Sequence, residues 1–390
     1  MIHLVTRLPL SYHRTLCRAL NDSYDGAFTA WFAERSSEDF PLSSSTGDLF
    51  KHHFLSEVGY RRFFRSLMSD PEAVVILGGW SSPMTNRTLL MTTLLRIPVF
   101  IWADHPHPYR RTFMKDRARK FYLQLLSRFV AGFLGCGRPT VEHLLSLGLD
   151  HAALTEFPYW VDVPEYWWLP AAATERKPLR LIAIGRHIAL KQFEVAIKAV
   201  ALANAQATHR SVELVVVGDG PERAVLESTA NSLDCADAAH FCGWLEGEEL
   251  FRQVELADAL VLTSSFDAYG VVVLEAMARG RPVLASDGVV AALDRDDGSG
   301  AILTHPAGDA ELLAQQIELY ANDPERLRHA SVAARAIAEK WKPERAALIL
   351  DSVLINSKRG AMLVRNRRRH VVACSSPVGM TQETSFVAGQ

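Results

Sequence analysis

No stretch of this 390-residue chain stays apolar for the ~18 residues that a membrane-spanning helix needs. Its first residues, MIHLVTRLPL, contain no apolar run long enough for a secretory signal. Cysteine is scarce: Cys17, Cys136, Cys235, Cys242 and Cys374 are odd in number and scattered, and no pair has metal-ligand spacing. A disulfide framework and a zinc site are therefore not expected, and a reducing compartment fits. Charge of one sign is also lacking, with 42 Lys and Arg against 44 Asp and Glu. No nucleic-acid partner held by overall charge is expected. From these absences a cytoplasmic chain is expected, either free or peripheral on the inner face of a membrane.

What is present is a repeated alternation of short apolar runs and amphipathic stretches, in a chain long enough for two domains. In the first half Ile2–Thr6, Phe28–Phe32, Val74–Leu77, Pro98–Trp102 and Phe133–Cys136 read as strands buried on both faces. Helical patterns fall between them at Tyr12–Leu20, before Asp70, at Asn86–Leu95, from Arg110 to about Val130, and at Thr140–Ser146. Ser36–Gly47 is polar and serine-rich and reads as a surface loop. In the second half the strands are Leu179–Ile184, Val212–Val217, His240–Cys242, Ala259–Thr263, Pro282–Ala285 and Ala301–Thr304, with closing helices near Asp309–Ala321 and Pro324–Glu339. This rhythm predicts doubly wound parallel sheets of the α/β class. The expected partition is a first domain over 1–162, a proline-containing linker over 163–178, a second domain over 179–357 and a basic, aperiodic tail over 358–390, expected to be disordered.

Three segments of the second half could carry chemistry. Gly185-Arg186 follows the strand Leu179–Ile184, and Lys191 lies five residues on, where the next helix is expected to open. A glycine at a strand end admits a ligand close to the backbone, and two cations at the carboxyl edge of a parallel sheet suit a diphosphate. Taken alone, the same residues also fit a loop arginine and a solvated lysine. Gly218-Asp219-Gly220-Pro221-Glu222 follows the strand Val212–Val217; it is not the GxGxxG dinucleotide fingerprint and by itself reads as a tight turn. The third segment, Ser264 to Ser286, has carboxylates at Asp267 and Glu275, eight apart, with Gly270 three after the first. Glu275 falls in an otherwise apolar helix start, where a lone carboxylate needs a partner such as the vicinal hydroxyls of a ribose.

In that order and spacing these segments resemble the retaining glycosyltransferases of the GT-B fold, family 4, whose signature is two carboxylates eight apart. The resemblance covers about Leu179–Leu350, including Trp341–Arg345, and is weak in the first half. It implies two facing Rossmann-like domains with a donor and acceptor cleft between them. It also implies that Arg186 and Lys191 hold the donor diphosphate, that Glu275 binds the nucleotide ribose, and that Gly185, Gly218 and the backbone of Tyr269, Gly270 and Val271 lie against the donor. Position 267 would bind sugar hydroxyls; Asp267 stands where the family has Glu, and the shorter side chain puts the identity of the sugar in doubt. In the first half the glycine-rich loop common in such enzymes is replaced by Arg7–His13, which has no glycine. Leu77–Ser82 follows a strand and is expected to line the acceptor cleft. Similar enzymes place a histidine after the strand that here ends near Trp102; His105 is the choice, with Asp104 and His107 as competitors.

Two further stretches stand apart. Asp294-Arg295-Asp296 matches a D-x-D metal pattern but is expected to be a solvated acidic loop, and neither a metal nor a cofactor is expected. Arg110, Arg111, Lys115, Arg117, Arg119 and Lys120 interleave with Phe113, Phe121, Tyr122, Leu125 and Phe129, a pattern that fits a solvated domain helix or a surface for anionic lipid.

The resemblance implies transfer of a glycosyl group from a nucleoside diphosphate sugar to a hydroxyl of a glycan or lipid-linked saccharide, with retention and without a metal, in surface polysaccharide assembly. Rival readings are a nucleotide-sugar epimerase, which needs an acid–base pair at the sugar, and a catalytically silent partner subunit of the same fold.

Overall fold

The computed structural model describes residues 1–37, 49–80, 82–106, 113–170, 178–206 and 211–356. His107, Arg110, Arg111, most of the serine-rich stretch and the tail over 358–390 lie outside the described residues.

Two all-parallel sheets form the frame. The first runs β3 (His52–Phe54), β2 (Phe28–Phe32), β1 (Ile2–Thr6), β4 (Val74–Gly78), β5 (Val99–Ala103), β6 (Gly132–Gly135) and β7 (Leu154–Glu156). The second runs β10 (Ala239–Gly243), β9 (Val212–Val217), β8 (Leu179–Ile184), β11 (Ala259–Leu262), β12 (Val283–Ser286) and β13 (Ile302–His305). Strands such as β1, β2 and β11 are buried along their whole length, because helices cover both faces. That explains why they read as unbroken apolar runs rather than alternating ones.

The helices are α1 (Ser11–Ser23), α2 (Leu55–Met68), α3 (Pro83–Leu94), α4 (Phe113–Leu126) and α5 (Arg138–Ser146) on the first sheet. The second carries α6 (Phe193–Gln206), α7 (Arg223–Ser232), α8 (Gly247–Leu256), α9 (Val271–Ala278), α10 (Val290–Arg295), α11 (Ala310–Asn322) and α12 (Pro324–Glu339). After Trp341 the chain returns to the first sheet, where α13 (Arg345–Asn356) lies against α1 and the Tyr24 hydroxyl donates to Asp351 at 2.9 Å.

Each sheet reverses its strand order once, between β1 and β4 and between β8 and β11. At such a reversal the loops leaving neighbouring strands turn to opposite faces and open a crevice at the carboxyl edge. In the second sheet those loops are Gly185–Gln192 and Thr263–Gly270. The two crevices meet, since Ser11 of α1 touches Glu275 of α9 and Tyr159 packs on Tyr269 with ring centres 5.4 Å apart.

Candidate functional site

The loop after β8 is clamped by the turn after β9. Gly185 donates its N–H to Val217, His187 donates to Asp219 at 2.8 Å, and Glu222 donates back to His187 at 3.0 Å. Gly218 lies so close that a Cβ there would overlap the Gly185 carbonyl, and its φ is 130°. The Gly218–Glu222 turn thus supports the Gly185-Arg186 backbone from behind. Lys191 does not open α6: it ends a short 3-10 turn, Ala189–Lys191, and Gln192 in a left-handed conformation separates it from the helix.

The loop after β11 lies directly against that turn. Ser265 donates its N–H to the Leu190 carbonyl at 2.9 Å, and the Thr263 hydroxyl donates to Gln192 O at 2.8 Å. These bonds bring Lys191 and Asp267 into an ion pair, both side chains mostly buried. Gly270 then turns the chain into α9 at φ 90°, with a Cβ position only 2.9 Å from Val289.

Glu275 sits one turn into α9, surrounded by the apolar residues that bury the helix. It has a protein partner that the sequence did not reveal: the Ser11 hydroxyl, from the start of α1 on the other sheet, donates to Oε1 at 3.2 Å. Burial pushes the Glu275 carboxyl above its ordinary value, with Arg279 and Ser11 pulling the other way. Ser11 lies in the glycine-free Arg7–His13 stretch, and the only sequence signal for it was a serine at a helix start.

The opposite wall is built at the ends of β5 and β6. Asp104 is open to the cleft, yet protein crowds its carboxyl, which accepts from the Tyr159 hydroxyl at 2.5 Å. Burial pushes Asp104 upward; Tyr159 and Cys136 oppose this, and Asp267 facing it across the cleft adds to it. His105 packs its ring against His143 at 5.5 Å and Phe266 at 6.4 Å. Asp104 and His105 therefore both border the Phe266-Asp267 pair. Gly78 at the end of β4 packs on Thr6, so the Leu77–Trp80 turn lies beside β1. Arg186 follows Gly185 at the mouth of the same crevice.

Asp294 corrects the expectation of a solvated acidic loop. It belongs to α10, its side chain is 1% exposed, and it pairs with Arg295. Among the described residues no three His, Cys, Asp or Glu cluster in a way that could hold a metal ion.

Residues 170–337 match the family model of glycosyl transferases group 1. The alpha-D-kanosaminyltransferase of Streptomyces kanamyceticus is 32% identical over 164 residues, 41% of this chain and 41% of its own length. The lipopolysaccharide core biosynthesis glycosyltransferase LpsD of Rhizobium meliloti is 31% identical over 154 residues, 37% of this chain and 39% of its own. The chain thus spans well under half the length of these curated relatives. HepE of Anabaena, crystallised in complex with UDP, superposes with a TM-score of 0.72 over 90% of this chain and 99% of its own, at 14% identity. The architecture is GT-B, two parallel-sheet Rossmann-like domains, and the matched segment supports a group 1 glycosyltransferase.

Proposed function

We propose that the protein transfers a sugar from a nucleoside diphosphate sugar to a hydroxyl of a glycan or lipid-linked saccharide, with retention of configuration and without a metal. The observation that carries this reading is the convergence of Arg186, Lys191, Asp267 and Glu275 on the carboxyl-edge crevice of the second sheet, although they come from two loops and a helix. In this reading Gly185 and Gly218 let the diphosphate approach the backbone, Arg186 and Lys191 take up the charge that develops on the leaving diphosphate, and the Tyr269-Gly270-Val271 backbone lies against it. Glu275 accepts from ribose hydroxyls, and Asp267 accepts from the sugar. Asp104 and His105 face the sugar from the first sheet. The acceptor hydroxyl attacks the anomeric carbon, the bond to the diphosphate breaks, and the acceptor proton passes to the departing phosphate oxygen.

The relatives' names support the substrate class: one moves kanosamine and one builds lipopolysaccharide core. A lipid-linked acceptor is supported by α4 and the turn after it, where Phe121, Leu125 and Phe129 stand exposed beside Lys120 and Arg128. Among the described residues no helix is long and apolar enough to cross a membrane. Sedimentation with vesicles containing anionic lipid tests this part, and Phe121→Ser with Phe129→Ser should abolish it.

The decisive measurement is calorimetric titration with UDP, GDP and ADP in the absence of metal, beside Lys191→Ala. Binding of one nucleotide, weakened about tenfold or more by the substitution, is expected. No binding by any of the three overturns the transferase reading in favour of a silent subunit.

A further inference from the structure

Behind the Thr263–Gly270 loop, side chains from both sheets meet around the buried carboxylate of Asp294. Its Oδ1 accepts the backbone N–H of Arg138, the first residue of α5 on the first sheet, at 2.8 Å. Its Oδ2 accepts from the Tyr269 hydroxyl at 3.1 Å and pairs with Arg295 at 3.2 Å. Arg295 also donates to the Tyr269 hydroxyl at 3.0 Å, stands 3.7 Å over the Trp341 ring, and reaches Glu156 of β7 at 3.8 Å.

Two features show that the contact is shaped for the carboxylate. Helix α5 has no side-chain cap of its own; it begins after Gly137, whose φ is 76°. A Cβ at 137 would stand 2.5 Å from Asp294 Oδ2, so the glycine makes room for a cap supplied by the other sheet. The first N–H groups of a helix need acceptors and attract negative charge, and here Asp294 provides both. The second feature is Tyr269 itself. It is fully buried, lies two residues after Asp267 and directly before Gly270, and its carbonyl accepts from Ala291 of α10 at 2.6 Å.

We infer that Asp294 is a positioning residue that couples closure of the two sheets to the shape of the donor loop. When α5 seats on Asp294, the carboxylate has partners on both sides, and Tyr269 is held with the Asp267–Gly270 turn in place. When the sheets part, Asp294 loses the Arg138 N–H and keeps only Tyr269 and Arg295. The turn that faces the sugar is then less restrained. With its side chain 1% exposed, Asp294 acts through Tyr269 and not by contact with a substrate. The proposal rests on the transferase reading for its kinetic consequence, but not for its structural one.

The test compares Asp294→Ala, Asp294→Asn, Gly137→Ala and the Gly137→Ala/Asp294→Ala double variant. Hydrogen exchange is read first, because it needs no substrate. In Asp294→Ala the amides at 138–141 and those at 268–271 should exchange faster together, while β1 and β8 stay protected. Faster exchange at 138–141 alone overturns the coupling. With the nucleotide sugar that binds, kcat should fall by about tenfold or more, while the nucleotide Kd, to which the Tyr269–Val271 backbone adds one contact among several, rises by about threefold at most. Asp294→Asn, which keeps one acceptor oxygen, should recover part of kcat. Gly137→Ala should be harmful alone and less harmful in the Asp294→Ala background, where the collision is gone and only the strain of alanine at φ 76° remains. A kcat unchanged in Asp294→Ala, or a Kd that rises in step with the loss of kcat, sinks the inference. Absence of nucleotide binding in the unmodified protein fails the transferase reading, and the exchange result then decides the coupling by itself.

Discussion

Lys191 and Asp267 are 76 positions apart in the chain and meet as an ion pair where the loops after β8 and β11 come together. The family resemblance implies a different part of the donor for each, the diphosphate for the lysine and the sugar for the carboxylate. In the proposed reading, a diphosphate reaching for Lys191 meets it already engaged. Asp267 therefore orients the lysine and also competes for it.

This relationship separates the two residues experimentally. Lys191→Ala should lower kcat/KM by two to three orders of magnitude, about 3 kcal/mol, as for loss of one stabiliser of a developing anion. Asp267→Asn should act in opposite directions on two readouts: the nucleoside diphosphate alone binds more tightly, because the lysine is released, while sugar transfer falls. Calorimetry and steady-state kinetics on the same preparation check this. Weaker nucleotide binding by Asp267→Asn would contradict the competition.

Glu275 gives a pH dependence with a definite sign. Burial holds its carboxyl above the ordinary value, so the folded protein keeps this proton to a higher pH than the unfolded chain does. Its contribution to stability is therefore lost as pH rises from the ordinary carboxylate range through the raised folded value. A ribose bound as proposed donates to the charged form, so nucleotide binding would release the proton. Affinity should rise with pH across that window and level off above it. Glu275→Gln removes the titrating group, and the slope should disappear with it. A slope of the same size in both proteins places the titration on the nucleotide phosphate instead.

Gly218→Ala tests the support behind the Gly185–Gln192 loop. The added Cβ would overlap the Gly185 carbonyl, where no flexible side chain can yield, and φ 130° is itself unfavourable for alanine. A loss of about 2–4 kcal/mol is expected. Unfolding in denaturant measures it. A variant as stable as the parent would show that the loop after β8 can move away without cost.

The sheets were legible because strands buried on both faces leave continuous apolar runs, as in β1, β2, β5 and β11, and the eleven segments read as strands mark β1, β2, β4–β6 and β8–β13, the half-exposed β10 among them. The strands β3 and β7 escaped notice: each has three residues, too few for any periodicity, and His52-His53 looks polar although it pairs with β2. The residues proposed to hold the donor were visible as motifs because each motif is local in the chain. Their partners were not, since Ser11 reaches Glu275 across 264 positions and Asp294 reaches Arg138 across 156. Asp294-Arg295-Asp296 looked like a solvated run because charge in sequence says nothing of the partners that bury it. Lys191 was placed at a helix start because spacing cannot show the left-handed Gln192 that ends the 3-10 turn.

Ser11 makes the last prediction, because its hydroxyl holds the carboxylate that the ribose is proposed to use. It donates to Glu275 Oε1 at 3.2 Å from the first turn of α1, and so links the two sheets at the donor site. If the ribose takes that oxygen, it must displace Ser11, and the bond counts against nucleotide binding. Ser11→Ala should then tighten nucleoside diphosphate binding by about 1 kcal/mol, roughly fivefold, the net worth of an ordinary hydrogen bond. It should also cost the protein a similar amount of stability, since Glu275 loses its donor while still buried. Calorimetry and denaturant unfolding measure the two effects separately. Tighter binding with lower stability identifies Ser11 as a stand-in for the ribose hydroxyl; weaker binding would mean that Ser11 holds Glu275 in place for the ligand.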